Sequence, residues 1–175
     1  MKNKTTILLD SPRLKLRLME QKDLNDLHII FSDPKVMDCF KAPPLTIEQM
    51  QGWLQRNLDH QEEFGYGLFS VILKSENLLI GNCGLENMEV EGEQRTELGY
   101  DFRSDYWNQG FATEAASTVR DFAFNDLKLP GLISLIRKGN LASRRVAEKI
   151  GMQLEAEIDR YGNKYWQFSI KNPNQ

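Results

Sequence analysis

Leu98-Gly-Tyr-Asp-Phe-Arg-Ser-Asp-Tyr-Trp-Asn-Gln-Gly-Phe-Ala-Thr-Glu114 reads as a strand, a tight loop and the start of a helix. Leu98, Tyr100 and Phe102 alternate with smaller or polar residues, the period of a strand. From Ala112 the apolar residues are Ala112, Ala115, Ala116, Val119, Phe122, Ala123 and Leu127. Steps of three and four put them on one helical face. Asn108 suits the N-cap. Gly110 then falls in the first turn, where glycine weakens a helix by up to ~1 kcal/mol relative to alanine. That placement makes sense if something approaches the backbone closely. A first turn has unpaired N–H groups and the positive end of the helix dipole, so the natural guest is an anion such as a pyrophosphate. Plain helix–sheet packing gives the same spacing, and the spacing alone does not separate the two.

A length of 175 residues suits one domain with a sizeable core, expected over about residues 6–170. At 41% hydrophobic and 27% charged, the composition is that of an ordinary globular protein. A net charge of −3 with no basic block argues against nucleic acid or an anionic membrane as partner. Cys39 and Cys83 are too few and too isolated for a disulfide framework or a zinc site. His28 and His60 stand in unrelated places, so no metal is expected. His28 reads as a helix-face residue and His60 as a solvated one. The start of the chain does not read as a signal peptide, and no run approaches the ~18 apolar residues of a membrane span. A cytoplasmic protein is expected.

Thr6–Leu9 and Leu14–Leu18 read as strands around Ser11-Pro-Arg13. Asp23–Phe31 reads as a helix, and Ser32–Pro44 as a loop or broken helix. Thr46, with Gln49 three residues on, forms a capping box that opens a helix to about Glu62. Gly67–Leu73 and Leu78–Leu85 read as a hairpin, and Gln94–Phe102 and Leu132–Arg137 as further strands. Ala142–Ile150 reads as a helix stopped by Gly151. Gln153–Asp159 and Lys164–Ile170 close the chain as a second hairpin. Periodicity alone stops at one α/β domain, a mixed sheet flanked by helices.

Four stretches carry a family resemblance. Trp107–Ala115 resembles the acetyl-coenzyme A loop of the GNAT N-acetyltransferases, Arg/Gln-x-x-Gly-x-Gly/Ala; Gly110 and Ala112 match its last fixed positions, while Trp107 and Asn108 depart from it. Its wording, with Ser11–Leu18 and Thr96–Tyr100, resembles the ribosomal-protein alanine N-acetyltransferase (RimJ/RimL-like) branch. Asn140–Met152 resembles the family's Asn-x-x-Ser-x-x-Val-x-Glu-Lys-Leu-Gly-Phe. The resemblance implies a GNAT fold: about seven strands, splayed between the fourth and fifth core strands, with about four helices. Acetyl-CoA would enter at the splay.

Acetyl transfer from a thioester to an amine needs an anchored donor, a neutral amine, a stabilised oxyanion and a protonated leaving thiolate. Anchoring is expected from the backbone N–H groups of Gln109, Gly110, Phe111, Ala112 and Thr113. The resemblance adds main-chain hydrogen bonds to the pantetheine arm from the strand holding Leu98, Tyr100 and Phe102, and a coenzyme A contact at Asn140. Many members carry a tyrosine acid seven residues after that Asn; here Ala147 stands there. The branch resemblance points to Ser143 for the thiolate instead. Asn140 and Ser143 also read as a helix cap and a polar first turn. Glu97 is the candidate base, able to take the amine's proton through a water, and also reads as a solvated strand glutamate. Arg144, Arg145 and Lys149 read as a solvated helix face.

The expected activity is acetyl-CoA-dependent N-acetylation of a primary amine in a ternary complex. The expected acceptor is the α-amine of a peptide or protein N-terminus. A small polyamine or amine antibiotic is the alternative acceptor. A non-catalytic acyl-CoA-binding module is the alternative from another class. A nucleotide binder is disfavoured, since neither Gly-x-x-x-x-Gly-Lys-Ser/Thr nor Gly-x-Gly-x-x-Gly occurs.

Overall fold

A computed structural model describes residues 7–175; Thr6, where the first strand was expected to begin, lies outside them. Eight strands form one sheet, in the order β1-β2-β3-β4-β5-β6-β8-β7. They are β1 (Leu8–Asp10), β2 (Leu14–Leu18), β3 (Leu68–Leu73), β4 (Leu78–Val90), β5 (Glu93–Phe102), β6 (Gly131–Arg137), β7 (Gln153–Arg160) and β8 (Asn163–Lys171). The five α-helices are α1 (Leu24–Phe31), α2 (Pro34–Asp38), α3 (Ile47–Phe64), α4 (Phe111–Asn125) and α5 (Leu141–Lys149). The resemblance implied about seven strands and four helices; the described residues hold eight strands and five α-helices. No helix among the described residues is long and apolar enough to cross a membrane.

Neighbouring strands run antiparallel except at one place. β5 and β6 are parallel, and their ladder holds a single pair, Glu97↔Ile133. The strands separate beyond it, toward their carboxyl ends. Parallel strands need a crossover, and α4 supplies it. The sheet therefore opens where α4 and α5 begin, the kind of crevice in which open α/β sheets hold ligands.

The two faces of the sheet are covered differently. Cys83, Leu85, Leu98 and Phe102 pack with Phe111, Ala115, Ala116 and Val119 of α4. On the opposite face Leu68 and Leu79 pack with Leu27, Ile30, Met50 and Leu54 of α1 and α3. Thr46 and Gln49 form the expected capping box at the start of α3. One buried charge ties the α1 layer to the sheet. Asp23 accepts from Arg17 at 2.8 and 2.6 Å and from Ser70 Oγ at 2.7 Å. Burial pushes its carboxyl up, but those bonds and the Glu20 N–H outweigh it, and it titrates below the ordinary value.

Three details differ from the sequence reading. First, β4 runs on to Val90 and β5 starts at Glu93, joined by Glu91-Gly92 with φ of 51° and 84°. Both central residues are left-handed, as a type I′ hairpin requires. Second, α4 starts at Phe111 with Gly110 as its N-cap, not Asn108. Asn108 has φ 60° and Gly110 φ 83°, so the chain is still turning through the left-handed region. Third, His60 is half-buried rather than solvated. Its Nδ1 lies 3.1 Å from the Tyr66 carbonyl, and its Nε2 accepts from the Asn87 N–H at 3.0 Å. That pairing makes it a neutral imidazole, and burial lowers its pKa.

Candidate active site

The loop before α4 is held from a distant part of the chain. Glu114 in the first turn accepts from Ser11 Oγ at 2.7 Å and from the Arg13 N–H at 2.8 Å. Arg13 Nε reaches the other oxygen at 2.7 Å, and its Nη1 donates to the Gln109 carbonyl at 2.9 Å. The guanidinium lies over the Phe111 ring, 4.3 Å from its centroid. The Glu114 N–H makes the first intrahelical bond, to Gly110 O. The N–H groups of Phe111, Ala112 and Thr113 precede that bond and have no side-chain cap. Gly110 is exposed, so this ring of donors opens to solvent beside the Arg13–Glu114 ion pair. Arg13 and Glu114 were not expected in the site. Their signal was present, since both stand in family-like stretches, but nothing in the sequence joins residues 101 positions apart.

Along the gap, β5 turns every second peptide toward β6. The Leu98 carbonyl there accepts from Ser134 Oγ at 2.6 Å. The Phe102 carbonyl accepts from the Trp107 indole at 2.9 Å. Tyr100, between them, faces the same edge and has no ladder partner in β6. Of the three expected strand contacts, Tyr100 is thus the peptide left open to a ligand, while the carbonyls of Leu98 and Phe102 are already engaged. The Tyr100 side chain crosses to α5 and donates to the Ser143 carbonyl at 2.8 Å. Burial raises its pKa, so it stays a neutral phenol.

Asn140 caps α5: its Oδ1 accepts from the Ser143 N–H at 3.1 Å. Its amide nitrogen has no hydrogen-bond acceptor among the described residues. Ser143 is half-buried, and its Oγ makes no hydrogen bond among the described residues. Ala147 is fully buried, so the tyrosine position of the family holds no acid here. Arg144 lies over the Trp166 ring, 5.0 Å away, rather than standing free in solvent, while Arg145 and Lys149 are exposed.

Glu97 is not a solvated strand residue. Its Oε1 accepts from the Leu135 N–H across the gap at 3.0 Å. Burial raises its pKa to about 7, with the Leu135 N–H opposing and Glu86 adding to the rise. A carboxylate with that pKa is half-ionised at neutral pH, the condition a general base needs. Glu97 stands at the last β5–β6 pair, on the α1–α3 face, while Tyr100 and Ser143 come from the α4–α5 side. The gap thus has unpaired N–H donors at its mouth, a free peptide along one wall and the Glu97 carboxyl at its inner end.

Residues 13–153 match the acetyltransferase (GNAT) domain family. The uncharacterized protein YkkB of Bacillus subtilis (strain 168) is 32% identical over 175 residues, which cover 99% of this chain and 100% of that one. A GNAT-family acetyltransferase structure from Bacillus anthracis is 29% identical with a TM-score of 0.79, covering 95% of this chain and 99% of that one. The structure of RimL, a ribosomal L7/L12 α-N-protein acetyltransferase in complex with coenzyme A, has a TM-score of 0.79 at 15% identity, covering 97% of this chain and 100% of that one. At that identity the likeness is one of fold.

Proposed function

The chain belongs to the acetyltransferase (GNAT) family, and from that premise we propose that it acetylates free α-amines by direct attack in a ternary complex, with Glu97 as the base. It is an N-acetyltransferase, and acetyl-CoA is its co-substrate. The observation that carries the acceptor is Glu97, with a pKa raised to about 7. A free α-amine, with pKa ≈ 7.7–8.0, lies within about one unit of it, whereas a lysine amine at ≈ 10.4 lies more than three units above. That difference is about 3.5 kcal/mol of deprotonation work at ~1.36 kcal/mol per unit. The RimJ/RimL-like motifs and the missing tyrosine acid support the same branch.

In this reading the unpaired N–H groups of Phe111–Thr113, with Arg13 beside them, hold the pyrophosphate. Tyr100 offers its open peptide to the pantetheine arm. The amine nitrogen attacks the thioester carbonyl carbon, a C–N bond forms, and the C–S bond breaks. The amine's proton passes to Glu97, directly or through a water. The departing thiolate accepts a hydrogen bond from Ser143 Oγ–H, which keeps its proton, and is released as the thiolate or protonated by solvent. Ser143→Ala should lower kcat roughly ten- to a hundred-fold, less than the usual range for acid–base catalysis, because thiolate is a tolerable leaving group. KM for acetyl-CoA should change little. Steady-state thiol release checks this, and a variant that lost affinity but kept kcat would make Ser143 a cofactor contact.

Mass spectrometry of a peptide with a free N-terminus and an internal lysine tests the acceptor. We expect acetyl on the α-amine and an untouched lysine. Acetyl on the lysine alone would overturn the reading.

A further inference from the structure

The β4–β5 register builds a feature that acetyl transfer by Glu97 does not use. On the α1–α3 face three cross-strand pairs follow one another: Asn82↔Asp101, Gly84↔Gly99 and Glu86↔Glu97. Over Gly84 the backbone of Gly67 and Leu68 closes in, 2.3 and 2.5 Å from where a Cβ would stand. Over Gly99 no heavy atom lies within 4 Å of that position. The sheet therefore carries an open slot floored by Gly99, with Glu97 and Glu86 at one end and Asp101 and Asn82 at the other.

The charges in the slot are unbalanced. Glu86 and Glu97 lie directly opposite each other, an arrangement that is destabilising for two ionised carboxylates. Among the described residues the Asn82 amide is the one side chain close enough to the Asp101 carboxyl to act on it as a donor. Burial raises its pKa to about 7, as it does that of Glu97, and the nearby Asn82 amide offsets only part of the rise. Arg56 and Arg160 act on Glu86 and Glu97 from a distance, but neither is among the groups acting on Asp101. Asn82 is fully buried, and neither its Nδ2 nor its Oδ1 has a hydrogen-bond partner among the described residues. An orphaned buried amide of this kind is costly unless a ligand satisfies it. Among the described residues no three carboxylates are grouped so as to hold one metal ion. The anionic groups are instead spread along the slot, which suits two separate positive charges.

We propose that Asp101 and Asn82 form a second cation subsite, so that the acceptor carries an ammonium or guanidinium group beyond its reacting amine. This rests on Glu97 serving the reacting amine. Four residues of strand separate the two ends by ~13 Å at Cα, and a charge-assisted hydrogen bond of about 2.8 Å to each carboxylate from between them leaves the two cations roughly 7–10 Å apart. A basic side chain at the second residue of a peptide spans that distance, and so does a short linear polyamine.

The experiment uses the full chain with saturating acetyl-CoA. Two peptides are compared, Ala-Arg and Ala-citrulline at their N-termini, which differ in one charge at equal shape. A four-carbon diamine is compared in parallel with the matching amino alcohol. We expect kcat/KM to favour the dication roughly ten- to a hundred-fold, the size of a charge-assisted hydrogen bond. In Asp101→Asn that ratio should fall to about two or less. A wild-type ratio near one overturns the proposal even if Asp101→Asn fails to fold, and so does an Asp101→Asn that slows both acceptors of a pair equally. Equal α-acetylation of both peptides removes the second subsite but leaves the α-amine reading standing. Turnover of the diamine over the amino alcohol, with neither peptide used, upholds the subsite and overturns the α-amine reading.

Discussion

Gly110→Glu is expected to weaken acetyl-CoA binding by at least about a hundred-fold, or ~2.8 kcal/mol at 1.4 kcal/mol per tenfold. Gly110 sits at φ 83°, where a side chain is strained whatever the space around it. Its Cβ would also stand 3.4 Å from the Arg13 guanidinium. The larger effect is electrostatic. The new carboxylate would be drawn to the same N–H groups and the same arginine that should hold the pyrophosphate, and would repel what remained. Gly110→Ala separates the causes, since it keeps the strain and the contact but adds no charge; it should lose only several-fold. Calorimetric titration of the folded variants checks both. Unchanged affinity in Gly110→Glu would remove the phosphate site from this loop.

Glu97→Gln is expected to lower kcat/KM for an α-amine acceptor roughly a hundred-fold at neutral pH, within the usual range for a lost base. The amide cannot accept the amine's proton, yet it keeps the size of the carboxylate and can still accept from the Leu135 N–H. The folded variant should bind acetyl-CoA normally. The sign of the pH effect follows from the raised pKa of Glu97, which is about 7. The wild-type base is protonated and idle below that value and ionised above it, so the rate rises through it. In the variant the rate waits on the amine to lose its proton unaided, and the rise moves up toward the amine's own pKa of ≈ 7.7–8.0. The deficit should narrow to about ten-fold at high pH.

The parts of the fold with local causes were legible in the sequence. The apolar steps from Ala112 mark the face of α4, and Thr46 with Gln49 marks the start of α3. The hairpin between β4 and β5 was missed beyond Leu85 because Glu91-Gly92 lacks the Asn or Asp that usually announces such a turn. The helix begins later than Asn108 suggests because Asn108, a good cap by type, is itself left-handed here, as is Gly110, and the helix starts only after it. Within the candidate site, family-like motifs single out Glu97 and Ser143, but their surroundings are not legible in the sequence. Whether a strand glutamate is solvated depends on what the next strand brings, and here it is the Leu135 N–H, 38 positions on. The Asn82↔Asp101 and Glu86↔Glu97 pairs exist only through register, which single-strand periodicity does not specify. His60 read as solvent-facing because its partners, the Tyr66 carbonyl in the loop after α3 and the Asn87 N–H of β4, are brought to it only by the fold.

The pH dependence of amine-driven thiol release, measured on the wild type and on Glu97→Gln with one α-amine peptide, tests the assignment of the base most directly. We expect wild-type kcat/KM to climb through an apparent pKa of about 7 and the variant to lose that limb, climbing later with the amine itself. Superimposable profiles, or a wild type that follows the amine alone, would contradict Glu97 as the base.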